Sequence, residues 1–582
     1  MSGTVAVNYT WSQGINGLLS MVRWADPVIT FGYPTFKSEY GDDYQDDFPE
    51  PEGIIALNDV QRGAAAAAMQ AVRNYTLLDL LEAQPAANAD IRIAMTTSIL
   101  PDETTAYAFP PASSDRGGDV WFSASNYNNP ILGTYAYQTF FHEIGHALGL
   151  KHGHEADDGN AQTLPSDKDS LEFSTMTYRA YPGQVTGTGY KVPEGNYPQT
   201  FMMYDIAALQ HMYGADFGYN ANASVYAFNP NTGEMQINGV GQGVPVNGTG
   251  NPVNVIFRTI WDGGGWDTYD FTAYDSSYRL VIDLTPGGWT DIDSTGDRQV
   301  AFIGPRDLTR ADDNIFARGQ VFNALQYLDP VRNQFDDRSF IEAALGGAGN
   351  DSIRGNKVDN WLEGHDGQDT LEGGDGNDRL DQGTGGGLLL GGEGNDTLVA
   401  GSGADTMDGE TGDDLVDYSL APRGIYLDLT FGGIGWAAGD VFLNIDTIQG
   451  TRFADEMFGR DGWNDFLVGG AGADTIRGRD GDDTLMGSEG SDTLTGGLGA
   501  DHLVGGAGRD VANYRNATEA VIADLLDPAA NRGEAQGDTY ERVEVLQGGD
   551  FADHLGGNDA SNTIYGSWGE DYIAGRGGAG GV

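Results

Sequence analysis

From Gly346 onward the chain repeats itself every nine residues, and that period restricts the possible folds more than any other feature. Eight units run in register, starting at 346, 355, 364, 373, 382, 391, 400 and 409. The eighth position of each is apolar: Ile353, Leu362, Leu371, Leu380, Leu389, Leu398, Met407 and Val416. The sixth is Asp in six of them, with Asn360 and Gly387 as the exceptions. A second run starts at 469, 478, 487, 496 and 505, and a shorter third occupies 548–574. Two related inserts separate the runs, DYSLAPRGIYLDL from Asp417 and NYRNATEAVIADL from Asn513. Each leads through Gly-Asp back into repeats, so a larger module is repeated as well. A flexible acidic linker would not keep an apolar side chain at one position in consecutive units. Within a unit the first six residues carry Gly-rich turn chemistry, and the last three form a short strand with one inward side chain. Successive units alternate sides, and units two apart stack at strand spacing of about 4.8 Å.

Stacked turns bring Asp carboxylates and Gly carbonyls together in the gaps between coils, and such rings of hard oxygen suit calcium. In the first run the candidate ligands are Gly347, Gly349 and Asp351, Gly367 and Asp369, then Gly374, Gly376 and Asp378. They continue with Gly392, Gly394 and Asp396, Gly401, Gly403 and Asp405, and Gly412 and Asp414. The second run offers Gly470, Gly472 and Asp474, Gly481 and Asp483, and Gly490 and Asp492. It goes on to Gly497, Gly499 and Asp501, and to Gly506, Gly508 and Asp510; the third run offers Asp553 and Asp571. Without a cation these carboxylates repel one another, and the apolar area is too small to offset chain entropy. Folding of this part is therefore expected to need calcium. The pattern resembles the repeats-in-toxin (RTX) sequence GGxGxDxUx. That resemblance implies a parallel β-roll holding several calcium ions. It also implies release from a Gram-negative bacterium through a type I secretion apparatus, with the tail unfolded inside the cell and folded by external calcium.

Composition agrees with a cation-binding, extracellular reading. With 31 Lys and Arg against 86 Asp and Glu, the formal net charge is −55. Nucleic-acid binding relies on basic side chains that neutralise phosphates, so that class is excluded. The chain has no cysteine, so a bound metal is the available staple in place of disulfides. The first thirty residues carry no basic segment followed by an apolar run, so no Sec-type signal is expected. No stretch reaches about 18 apolar residues, so no membrane span is expected.

Upstream of the repeats, residues 142–152 read HEIGHALGLKH. His142 and His146 are four apart and share one helix face, where two imidazoles can hold one zinc ion. Gly149 lets the chain leave the helix sharply and bring round His152 as a third ligand. Three protein ligands leave a position for water, the pattern of catalytic zinc. Glu143 stands beside the first ligand, placed to act as general base on that water. The extended spacing HExxHxxGxxH resembles the metzincin zinc proteases.

The segment EFSTMTYRAY from Glu172 supplies Met176 for the Met-turn that such proteases carry, and Tyr178 follows two residues later. In the serralysin branch a Tyr at that place is a fourth zinc ligand at rest and swings away to hydrogen-bond the tetrahedral intermediate. PQTFMMYDIAALQHMYGAD from Pro198 is similar to the serralysin helix that closes the protease domain. GGDVWF from Gly117 is similar to the strand lining the cleft, where its edge would accept an extended peptide. WDGGGWDTYDF from Trp261 looks like the family's calcium turn, with Asp262, Gly264, Asp267 and Glu342 as ligands. The resemblance covers roughly residues 28–380. Gly153 stands where serralysins usually have Pro, and the family's Arg-x-Gly-Asp loop is not recognisable around 232–255.

Periodicity predicts strands at Val28–Phe31, Ile91–Thr97 and Asp119–Phe122, and helices at Leu57–Leu81 and Thr134–Leu150. The expected architecture is an α/β metzincin (zincin-like) protease domain followed by an all-β parallel β-roll solenoid with nonapeptide calcium repeats. Its parts are an N-terminal extension or short propeptide at 1–30, the protease domain at 31–225, a β-rich connecting segment at 226–340 and the β-roll with its inserted modules at 341–582. The implied activity is that of a secreted zinc endopeptidase acting on extracellular proteins, with one catalytic zinc. Its implied partners are protein or peptide substrates, the type I apparatus and a small proteinaceous inhibitor.

Overall fold

The computed structural model describes residues 2–40, 44, 50–98, 105–157, 159–186, 190, 192–294, 296, 298–305, 314–329 and 332–576. The chain divides into two compact units, Met1–Ala344 and Leu345–Val582.

The first unit is built on a mixed sheet with strand order Asp79–Glu82, Val28–Gly32, Ile91–Thr96, Val120–Ser123, Ala106–Ala108. The first four strands run parallel, and Ala106–Ala108 is antiparallel to its neighbour. GGDVWF is therefore not an open edge. Tyr107 pairs with Trp121 and covers that side, so the edge role passes to Ala106–Ala108. The reason lies in burial: Val120, Trp121 and Phe122 are all fully buried, which suits an interior strand.

Helix Asp59–Tyr75 opens with a capping box between Asn58 and Gln61. It buries Ala64, Ala65, Ala68, Met69, Val72 and Tyr75. It ends earlier than the apolar sequence predicts. Thr76 turns extended, and its Oγ1 donates to the Val72 carbonyl at 2.9 Å. Beyond it Leu78 and Leu80 are buried while Leu77 and Leu81 are exposed. That is a period of two, and the segment becomes the strand Asp79–Glu82.

The N-terminal residues belong to the same core. Thr4–Ala6 pairs with Val22–Trp24, and Leu18, Leu19 and Trp24 are buried. Trp24 Nε1 donates to the Ala147 carbonyl at 3.0 Å, at the end of helix Tyr135–Ala147. Among the described residues downstream, short strands and their flanks contribute Phe257, Ile303 and Phe322 to a second core that also holds Phe173 and Met202.

The second unit is the solenoid. Strands pair in parallel with the residue eighteen further on, Leu371 with Leu389 and then Met407, and Leu362 with Leu380 and then Leu398. Every apolar eighth-position side chain of the first run is buried. Several strands extend past the three expected residues, as in Thr370–Asp375 and Thr484–Gly490. Glycine is required inside the stack: at Gly508, φ is +154°, and a Cβ would lie 1.4 Å from the Gly490 carbonyl oxygen. The two inserts are folded alike. Tyr418 bonds Asp440 and Tyr514 bonds Asp538, while Arg479 pairs with Asp428 and Arg576 with Asp524.

Candidate metal centres

Helix Tyr135–Ala147 is capped by Thr134, whose side chain accepts from the Tyr137 N–H. Two turns later it presents His142 and His146 on one face. Gly149 has φ +102°, and a Cβ there would lie 2.4 Å from the Val22 carbonyl oxygen, so only Gly fits the exit. The exit is pinned by the N-terminal segment: Ser20 N–H donates to Gly149 O, and Lys151 N–H to Leu18 O. The chain then returns His152 to the helix.

The three Nε2 atoms converge, 3.1 Å between His142 and His146, 3.2 Å between His142 and His152, and 3.0 Å between His146 and His152. Each ring is held by its other nitrogen. His142 Nδ1 lies 2.7 Å from Thr175 O, His146 Nδ1 2.9 Å from Leu150 O, and His152 Nδ1 2.8 Å from Glu155 Oε2. These acceptors fix the Nδ1–H tautomer and leave three lone pairs aimed at one point, as zinc requires. Burial pushes His142 down to about 3 and His146 well below its ordinary value, so both rings stay neutral and able to ligate.

Glu143, which follows His142 in the chain, is buried, and its Oε2 has no hydrogen-bond partner. Burial pushes its carboxyl up to about 8. Met176 is fully buried beneath the helix, where its sulphur would lie 2.7 Å from a Cβ at Gly145. The Tyr178 ring lies 4.3 Å from His152 and stacks at 20° on His142. Burial, then Glu143 and Glu155, raise its phenol above the ordinary value.

Two supports escaped the motif reading. Thr175 is held by Asp205, whose Oδ2 accepts from the Thr175 N–H at 2.7 Å and from its hydroxyl at 2.9 Å. Asp205 caps helix Met203–Tyr213 through the Met202 N–H and also receives the Ser174 hydroxyl. Glu155 bridges His152 and His154, its Oε1 lying 3.2 Å from His154 Nε2, so these three groups also cluster. The only sequence signal for Glu155 is its position three residues after a ligand.

At the second predicted centre Asp262, Asp267 and Glu342 come together. Asp267 N–H donates to Glu342 Oε2 at 2.7 Å, and Gly264 N–H to Asp262 Oδ1 at 2.9 Å. Burial followed by Asp262 pushes Asp267 up to about 8, and burial pushes Glu342 up to about 7. Asp267 Oδ2 is buried without a partner. The buried, unpartnered Oδ2 of Asp267 is the oxygen of this group that suits a divalent cation.

In the solenoid one oxygen of most of these Asp residues accepts from the backbone N–H of the sixth-position residue eighteen earlier, as in Asp378 to Asp396 and Asp492 to Asp510. The other oxygen of Asp378, Asp396, Asp414, Asp474, Asp483, Asp492, Asp501 and Asp510 is buried with no partner. Carbonyls of Gly391, Gly409, Gly496 and Gly505 lie beside the same first-position glycines as the free oxygens of Asp378, Asp396, Asp483 and Asp492. These donors fit calcium. The remaining candidates differ. Asp405 and Asp553 have both oxygens taken by backbone N–H groups, and the Gln382 amide approaches Asp369 Oδ2 at 3.4 Å. The ladder also runs on through the inserts, where Asp440 and Asp538 receive the N–H of Asp405 and Asp501, and Asp446 and Glu544 those of Asp414 and Asp510. The Gly-Asp shared by both inserts was the signal for two of these.

Comparison with known proteins gives two kinds of match. Residues 49–205 match Metallo-peptidase family M12. Six segments, 345–380, 381–417, 443–476, 464–494, 477–512 and 547–582, match the RTX calcium-binding nonapeptide repeat. Serralysin C of Dickeya chrysanthemi is 37% identical over 195 residues, 32% of this chain and 37% of that protein. Serralysin G of the same organism is 29% identical over 367 residues, 61% of this chain and 64% of that protein. Metalloprotease AprA of Pseudomonas entomophila (strain L48) is 28% identical over 373 residues, 61% and 66% of the two chains. The chain thus spans about a third to two thirds of the length of these relatives.

Proposed function

We infer from a metallo-peptidase family M12 domain joined to RTX calcium-binding repeats that this chain is a zinc-dependent endopeptidase of the serralysin type. One observation carries the reading: three imidazoles with their Nδ1 atoms engaged converge on one point, and Glu143, next in sequence to the first of them, is buried with its Oε2 unpartnered. His142, His146 and His152 would hold one zinc, with Tyr178 joining at rest. Bound there, zinc supplies Lewis acidity toward a scissile carbonyl. The chain's own residues do the rest. Glu143 takes the proton of the attacking water at Oε2 and returns it to the leaving amine. Its burial raises proton affinity, which favours the first half of that transfer, the taking of the proton. Tyr178 donates its hydroxyl to the developing oxyanion. Ala106–Ala108, unpaired on its outer side among the described residues, aligns an extended peptide by strand addition.

The substrates are proteins or peptides outside a bacterial cell, and the protease domain occupies about residues 31–225. The Asp ladder binds several calcium ions and folds 341–582 after type I export, and a small proteinaceous inhibitor is a further partner. Among the described residues no helix is long and apolar enough to cross a membrane. The test is zinc analysis of the purified chain together with casein hydrolysis before and after chelation. About one zinc per chain is expected, with activity lost on chelation and restored by zinc. Undiminished hydrolysis by the metal-free chain would refute the assignment.

A further inference from the structure

Arg258 opens the strand Arg258–Ile260 and is 3% exposed. Its Nε and Nη2 donate to Gln199 Oε1 at 3.0 and 2.9 Å. Among the described residues its Nη1 meets only the Met235 sulphur, at 3.5 Å, a weak acceptor. Among the described residues no carboxylate pairs with it, in a chain with 86 Asp and Glu. A buried guanidinium without a counter-charge is costly, and removing the cost calls for an anion from outside the chain.

The surroundings are built to admit one. Arg258 lines a cavity of about 280 Å³ and is its only charged lining residue among those described. Tyr75 and Tyr137 line it too, and neither phenol hydroxyl makes a hydrogen bond among the described residues. Both couple electrostatically to Arg258. Ala67 and Ala71, one turn apart on helix Asp59–Tyr75, leave the space open, and Phe141 and Trp261 make the wall apolar.

We propose that this cavity binds a small monocarboxylate with an apolar body, its carboxylate on Arg258 Nη1 and the Tyr75 and Tyr137 hydroxyls and its body against Ala67, Ala71 and Trp261. One guanidinium and two phenols match one negative charge. A phosphate dianion would call for a second cation, which the lining lacks. Burial pushes Arg258 down to about 10, so the group remains charged at neutral pH. The site is separate from the histidine centre. Helix Tyr135–Ala147 turns Tyr137 and Phe141 to the cavity and His142 and His146 to the histidines.

The test is isothermal titration of the zinc- and calcium-loaded full chain with hexanoate, phenylacetate and inorganic phosphate. Saturable binding of one carboxylate per chain is expected, without phosphate binding. Arg258→Met should weaken it about 10- to 100-fold. Ala71→Leu, which fills the cavity and leaves Arg258 in place, should abolish it with Tm and peptide hydrolysis unchanged. If Arg258→Met fails to fold, Tyr137→Phe replaces it, with several-fold weaker binding expected. Three results would overturn the proposal: no saturable carboxylate binding, preference for phosphate, or carboxylate binding that Ala71→Leu leaves intact, which would place it at the zinc centre.

Discussion

The Thr175 carbonyl accepts from both His142 Nδ1 and the Gln138 amide, so one backbone oxygen orients the first histidine. Asp205 holds Thr175 in turn, which links helix Met203–Tyr213 to His142 through two residues that lie inside the quoted segments but carry no motif role there. In Asp205→Asn an amide NH₂ would face donors that now meet a carboxylate. Zinc affinity should fall about 10- to 100-fold, measured by competition with a chelator, with folding retained. Tyr178→Phe should lower kcat much more than it raises KM, because its hydrogen bond forms mainly in the transition state. A loss confined to KM would reduce Tyr178 to a lining residue. The convergence of His142, His146 and His152 was legible because all three lie within eleven residues of sequence, whereas Met176 and Tyr178 came from the family resemblance. Asp205 and Arg258 were not legible, since each acquires its meaning from partners roughly thirty to sixty residues away.

At the scale of elements, period decided legibility. The nine-residue repeat announced stacked parallel strands, and the eighth-position side chains are buried as that reading requires. Leu77–Leu81 misled because five residues of dense apolar character suit helix and strand alike, and only the burial alternation separates them. Val120–Ser123 misled because an edge is defined by a neighbour, here Ala106–Ala108, that pattern alone does not reveal. The carboxylate ladder gives this scale its prediction. Burial pushes Asp378 and Asp501 up to about 8, and Asp369, Asp405 and Asp474 up to about 7. The unfolded value is about 3.9, so in the absence of calcium the folded ladder holds its protons more tightly than the unfolded chain. That stabilisation is full below about pH 4 and is lost as pH rises toward about 8. Calcium-depleted protein should therefore show more β structure by circular dichroism at pH 5 than at pH 8, and added calcium should erase the difference. A pH-independent spectrum in chelator would contradict the ladder.

For the whole molecule, a net charge of −55 has a specific location: much of it stands in register along the solenoid, where protonation relieves it at low pH and a bound cation near neutral pH. Calcium at millimolar concentration or below should fold Leu345–Val582 cooperatively, and magnesium, which gives up its water reluctantly, should not substitute. A spectrum of the full chain unchanged by chelator would count against calcium-gated folding. The central claim concerns the other unit, and Glu143 tests it most directly, because it touches the chemistry without holding the metal. Zinc content and peptide turnover are to be measured together on Glu143→Ala in saturating calcium. The account predicts zinc at the wild-type level with turnover reduced about 10²- to 10⁴-fold. Near-normal turnover in that variant would contradict it.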